Sequence, residues 1–193
     1  MTNVLMLGGN GYLGRNVTKV WMQKDPNAVF YVVSRSGKNQ LKDERIINIQ
    51  DNVTSAQELS AKIPVKIDYI VDFIGFASKP KGSQQTFMGL NMNPAKVMVE
   101  LAKEYQVKAQ GYISGSLGSK EFKTTKEKVV KMLIESGVPT KIIAPTLVYG
   151  DNRHDQFTKL VPFLKFAGIF TPKLKPVKVE DAANQLVAQM IKN

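Results

Sequence analysis

Asn3-Val4-Leu5-Met6-Leu7-Gly8-Gly9-Asn10-Gly11-Tyr12-Leu13-Gly14 decides how this chain is to be read. Asn3–Leu7 is an apolar run of strand length, the glycines follow at once, and Leu13, Val17, Val20 and Trp21 then recur at helical spacing. A strand, a tight turn and a helix are therefore joined without a spacer. Gly8 permits the turn, Gly11 lets the backbone approach a pyrophosphate, and Gly14 lets the helix lie against the strand. An anion would meet free N–H groups and the positive end of the helix dipole. Gly8, Asn10, Gly11, Tyr12, Leu13 and Gly14 are thus candidates for holding a dinucleotide, provided that the rest of the chain alternates strands and helices.

It does alternate. Strands are expected at Asn3–Leu7, Val29–Ser34, Arg45–Ile49, Tyr69–Ile74, Ala109–Ser114 and Thr140–Ala144. Between them lie helical patterns carried by Val97, Met98, Leu101, Ala102 and Tyr105, and by Val129, Val130, Leu133 and Ile134. A last helix is expected from Asp181 to Ile191. Capping boxes Ser55 with Glu58 and Thr124 with Glu127 mark two helix starts, where hydroxyl and carboxylate satisfy free backbone N–H groups. The fold class is α/β, a Rossmann-type doubly wound parallel sheet in one domain, 1–193. Gly150–Lys178 lacks a clear period and carries Pro162, Pro172 and Pro176; it is expected to cover the substrate side.

Composition narrows the function. At 193 residues, 43% hydrophobic and 22% charged, the chain fits one domain with a sizeable core. With no cysteine there is no disulfide framework, thiolate site or cysteine nucleophile, and the lone His154 excludes paired-histidine zinc motifs. No metal site is expected. The apolar runs are too short for a membrane helix or a signal peptide, so a cytoplasmic protein is expected. The net charge of +11 is spread: residues 1–119 hold 14 basic and 9 acidic side chains, and residues 120–193 hold 13 and 7. A nucleic-acid surface would concentrate its basic residues on one element among aromatics, so a solvated basic surface is expected instead.

The end of the second strand bears on the cofactor. A site for NAD carries an acidic residue about 20 residues beyond the glycines, bonded to the ribose 2′-hydroxyl. Here Ser34-Arg35 stands there. An arginine can pair a 2′-phosphate, which favours NADP over NAD.

The spacing G-x-x-G-x-x-G resembles that of extended and atypical members of the short-chain dehydrogenase/reductase superfamily, of the NAD-dependent epimerase/dehydratase-like and NmrA-like kind. Further segments agree along nearly the whole chain. Asp51 resembles the acidic residue that meets the adenine, Phe73-Ile74-Gly75 ends the fourth strand where the cofactor passes, and Asn91 resembles the asparagine that opens the next helix. Ala144-Pro145-Thr146-Leu147-Val148-Tyr149-Gly150 looks like the segment after the sixth strand, and Val177–Ala183 like the Val-x-Val-x-Asp-x-Ala element near the end. With Ser34-Arg35-Ser36-Gly37, the glycine loop looks most like small NAD(P)-binding proteins related to a mitochondrial complex I accessory subunit and to a ubiquinone-biosynthesis factor.

The resemblance implies a Tyr-x-x-x-Lys pair, whose phenol gives a proton and whose lysine holds the nicotinamide ribose, and a serine that holds the substrate oxygen. Ser116, or Ser114, matches the serine. The pair reads Phe122-Lys123-Thr124-Thr125-Lys126, so Lys126 is kept and Phe122 has no proton to give. Tyr112, Tyr149 and His154 are other acids near the expected site, but Tyr112 reads as core and the other two as loop residues. The resemblance also raises a homodimer paired through helices Pro94–Tyr105 and Thr125–Ser136. Two functions fit: an NADP-dependent oxidoreductase or isomerase with altered acid–base machinery acting on a small molecule, or a protein that holds NAD(P)(H) for sensing or assembly without turnover.

Overall fold

Val4, Leu5, Met6 and Leu7 are all fully buried, as the centre of a sheet covered on both faces requires. They form β1 (Asn3–Leu7), and five further strands follow: β2 (Val29–Ser34), β3 (Ile46–Gln50), β4 (Tyr69–Asp72), β5 (Ala109–Ile113) and β6 (Thr140–Ile143). This computed structural model describes residues 1–151, 153, 158–171 and 174–192. The six strands are parallel and stand in the order β3-β2-β1-β4-β5-β6. The chain winds outward from β1 to β3, then returns to start again at β4. Ligands of such sheets bind where that reversal opens a crevice, at the carboxyl ends of β1 and β4.

Helices α1 (Tyr12–Lys24) and α6 (Val179–Ile191) cover one face, where Val17, Trp21, Leu186 and Val187 join Val4, Met6 and Phe30. On the other face lie α2 (Ala56–Ser60), α3 (Phe87–Glu104) and α4 (Lys120–Glu135), with Leu59, Leu101 and Leu133 joining Leu5, Leu7 and Ile70. The alternation of β1 side chains between the two faces is the pleat of a strand. Ser55 caps α2 as its box predicts, accepting from Glu58 N.

Several expected boundaries shift. Arg45 precedes β3 because its guanidinium is bound to Asp43 at 2.8 Å in a turn. Tyr69–Ile74 stops pairing at Asp72, whose Oδ1 accepts from Ile74 N at 2.7 Å and turns the chain out of the ladder. The fifth and sixth strands each end one residue early, at Ile113 and Ile143. The helix expected from Pro94 begins at Phe87 under a Thr86 cap, so Asn91 lies inside it, and Pro94 is accommodated in its interior. The Thr124 box is not used: Ser119 caps α4 by accepting from Phe122 N at 3.1 Å, and Thr125 is buried mid-helix. Starting one turn earlier brings Phe122 onto the same helix face as Lys126. The last helix begins at Val179.

Part of Gly150–Lys178 is regular. Short strand β7 (Val148–Tyr149) pairs in parallel with β8 (Val177–Lys178), and α5 (Val161–Phe170) follows a 3-10 turn. Val161 and Leu164 pack on Leu147. His154 and Pro172 lie outside the described residues. The exposed residues of α4 include Lys123, Lys128 and Lys131 together with Glu121, Glu127, Glu135 and the apolar Ile134.

Candidate cofactor and active site

Gly8 has φ +73, and a Cβ there would lie 2.8 Å from Ile74 Cγ1. Gly14 is held more tightly, since its Cβ would stand 2.5 Å from Gly9 Cα. The two glycines thus let β1, β4 and α1 meet at the crevice. Gly11 is the N-cap of α1 and brings no side chain to its first-turn amides, which also lack an acidic neighbour. Unsatisfied N–H groups at a positive helix end form an anion cradle. Gly8, Asn10 and Gly11 line a groove of about 1070 Å³.

Ser34, Arg35 and Asp51 line the same groove. The Asp51 carboxylate accepts from Lys62 Nζ and Val53 N, both at 2.6 Å, which fixes it beside the end of β3. Ile74 and Gly75 form a wall shared with a second cavity of about 470 Å³, so groove and cavity lie side by side. Leu13, Ser114, Phe122, Lys126 and Pro145 line that cavity. This is a long slot with an anion cradle in its middle, a fit for a dinucleotide laid across the strand ends.

Three expected residues, Ser116, Tyr12 and Gly14, line neither the groove nor the cavity. Ser116 is exposed and outside the cavity wall; Ser114, half-buried at the end of β5, is the serine that lines it. Tyr12 donates from its hydroxyl to Gly150 O at 2.7 Å and braces α1 against the cover segment. Gly14 packs against Gly9 and supplies one of the first-turn amides of α1. Tyr149 lies on β7 under Lys165, 4.8 Å from its ring centroid, and does not line the cavity.

Beneath the cavity is a cluster that the sequence reading missed. Lys126 Nζ donates to Tyr112 Oη at 2.7 Å, and both are buried. Asp72 is also buried, and its Oδ2 has no hydrogen-bond partner among the described residues. Burial pushes the Asp72 carboxyl up to about 7, against the opposing pull of Ile74 N–H and the Lys126 charge. Burial pulls Lys126 down to about 8, with Asp72 opposing. The Tyr112 phenol is pushed well above its ordinary value by burial and then by Asp72. A carboxylate inside the apolar run Tyr-Ile-Val-Asp was the one signal that could have found this cluster.

The family model for NAD dependent epimerases/dehydratases matches residues 4–128, from β1 into α4. The chain belongs to the NAD dependent epimerase/dehydratase family. Among solved structures, WbmH of Bordetella bronchiseptica in complex with NAD+ is similar over 98% of this chain and 72% of that one, with a TM-score of 0.73 and 14% identity. A short-chain dehydrogenase/reductase family oxidoreductase from Burkholderia thailandensis is similar over 98% of this chain and 85% of that one, with a TM-score of 0.74 and 14% identity. A tyrosine-to-phenylalanine variant of ElxO with NADPH bound is similar over 100% of this chain and 92% of that one, with a TM-score of 0.71 and 17% identity. No curated protein sequence matches the chain. At these identities the likeness is one of fold, and it agrees with the epimerase/dehydratase assignment.

Proposed function

We propose that the chain binds NADP(H) along the groove and cavity and acts as an oxidoreductase or isomerase on a small hydrophobic carbonyl or alcohol, with Phe122 where the family's phenol would stand. The observation that carries this reading is the pair Phe122 and Lys126, one turn apart on α4 and both on the cavity wall. The first-turn amides of α1 would hold the pyrophosphate, Asp51 would border the adenine, and Arg35 would pair the 2′-phosphate. Lys126 would hold the nicotinamide ribose, with Ile74, Gly75 and Pro145 walling that end. The bound cofactor supplies or accepts hydride. Ser114 would orient the substrate oxygen. The apolar lining of Leu13, Phe73, Phe76, Phe122 and Leu147 favours a small, largely apolar molecule.

Phe122 also favours a second reading, a protein that holds NAD(P)(H) without turnover. In ElxO, a tyrosine-to-phenylalanine variant is described with NADPH bound, so in that protein the loss of a tyrosine leaves cofactor binding in place. Calorimetric titration with NADPH, followed by reduction of benzaldehyde, acetophenone and menadione by wild type and Phe122→Tyr, separates the readings. Wild type should bind NADPH and reduce feebly, and Phe122→Tyr should gain about 10²–10⁴-fold, the scale of general acid catalysis. Cofactor binding with no turnover in either protein selects the second reading; absence of binding overturns both.

A further inference from the structure

Asp72 and Tyr112 are register partners on β4 and β5, so their side chains leave the same face of the sheet, toward α3 and α4. There they meet Lys126 of α4, whose Nζ donates to Tyr112 Oη at 2.7 Å. Asp72 and Tyr112 are each 1% exposed and do not line the cavity; Lys126, at 6%, does. A Cβ on Gly75 would lie 2.9 Å from Lys126 Nζ, so the ammonium reaches the cavity floor at a point kept clear by a glycine. An ammonium has three N–H bonds. One is spent on Tyr112, and two remain. Phe122, the residue with the right placement for a proton donor, has no proton; its ring centroid is 5.8 Å from Lys126 Nζ.

We propose that Lys126 is itself the proton donor of this site, with Tyr112 aiming its ammonium at the cavity floor. The proposal rests on the nicotinamide reading above. A carbonyl carbon that receives hydride from the reduced nicotinamide passes its π pair to the oxygen. That oxygen takes a proton from Lys126 Nζ: an N–H bond breaks, an O–H bond forms, and the ammonium becomes an amine that solvent reprotonates through the cavity mouth. Burial makes the ammonium readier to give its proton than an exposed lysine, while the opposing charge of Asp72 holds it protonated near neutrality. Tyr112 cannot substitute as direct donor, because it lies behind Lys126 and its phenol is pushed up, not down. Of the groups facing Lys126, Asp72 on β4 and Tyr112 on β5 titrate, α3 contributes the neutral Asn91, and Arg153 lines the same cavity.

The test begins on the protein without cofactor. Carbon-13 labelling of lysine side chains, with Lys126 assigned by Lys126→Arg, reads its titration midpoint by NMR. The midpoint should fall near 8 in wild type and lower in Asp72→Asn. With NADPH and benzaldehyde, the rate should decline as pH rises through that midpoint, and in Asp72→Asn the decline should move down with it. Lys126→Arg keeps a cation that cannot release its proton. At saturating NADPH it should therefore lose about 10²–10⁴-fold of the wild type's own reduction, with calorimetry of the same variant reading separately any loss of the ribose contact. Should Asp72→Asn not fold, Tyr112→Phe carries the same comparison, and midpoint and alkaline limb must again move together. A midpoint near that of an exposed lysine, an alkaline limb that ignores the midpoint, or full reduction by Lys126→Arg would each overturn the proposal. Failure of wild type to bind NADPH would instead fell the nicotinamide reading, and the donor role with it.

Discussion

Arg35→Ala should lower affinity for NADPH and leave that for NADH unchanged. Arg35 is exposed at the end of β2, beside Ser34 and Ser36 on the groove wall. Its backbone is fixed, since Gln50 Nε2 donates to Arg35 O at 3.1 Å, so the side chain starts from a defined point. Among the described residues no carboxylate pairs with it, and the nearby Asp51 is already engaged by Lys62 at 2.6 Å. The guanidinium is thus available to a 2′-phosphate. A hydrogen bond to a charged group contributes about 1.5–3 kcal/mol. Exposure puts this one at the lower end, and because about 1.4 kcal/mol is tenfold, the loss should be about tenfold. Titration calorimetry of both proteins with both cofactors reads it directly, and raising salt should erode the NADPH preference of wild type alone. Equal wild-type affinities for NADPH and NADH would refute the reasoning. Equal losses for both cofactors would mean that Arg35 shapes the turn and does not read the phosphate.

Gly14→Ala should cost about 1–3 kcal/mol, because the new methyl would stand 2.5 Å from Gly9 Cα and must push α1 off the loop; urea midpoints measure it. The Asp72 carboxyl, raised to about 7, binds a proton in the folded state that the unfolded chain has already released, so stability should fall as pH rises from about 4 to about 7. Lys126, lowered to about 8, adds the opposite slope, a gain as pH rises from about 8 to about 10. Asp72→Asn should flatten the first slope in urea titrations across pH. Sedimentation velocity at high micromolar concentration tests the homodimer that the resemblance implies: the exposed side of α4 carries Ile134 among lysines and glutamates of both signs and so sets no charge barrier to pairing, and a monomer alone would end that expectation.

The parallel sheet was legible because its strands are short apolar runs and its helices keep a clean period. What stayed hidden depended on contacts between distant segments. Ser119 and Thr124 are both acceptable caps by local chemistry, and the choice turns on packing: the earlier start lays the Phe122 ring against Gly115 and Gly118. Likewise Ser114 and Ser116 differ by two residues; their amides donate to Ile143 O and Pro145 O beyond the sheet, and one side chain lines the cavity while the other is exposed. Pro94 reads as a helix start, yet it sits inside α3 because Thr86 caps the helix two turns earlier. Asp72, Tyr112 and Lys126 are separated by 40 and 14 residues, and nothing short of the β4–β5 register brings them together.

That cluster also bears on why the chain keeps charged groups in its interior. A buried ion costs several kcal/mol in lost hydration, and apolar residues of similar size often serve stability as well or better. Asp72 Oδ2 goes without a hydrogen-bond partner among the described residues, so the arrangement is not a fully satisfied network of the kind that rigidifies a core. A lysine serving only as packing would have its charge drawn out toward water along its flexible stem. Lys126 instead turns inward to Tyr112 while touching the cavity beside Gly75. Arrangements that lose stability without gaining order concentrate where chemistry is done. Lys126 is thus the buried cation on that wall, with the Asp72 carboxyl behind it, and stability alone gives no reason to keep them.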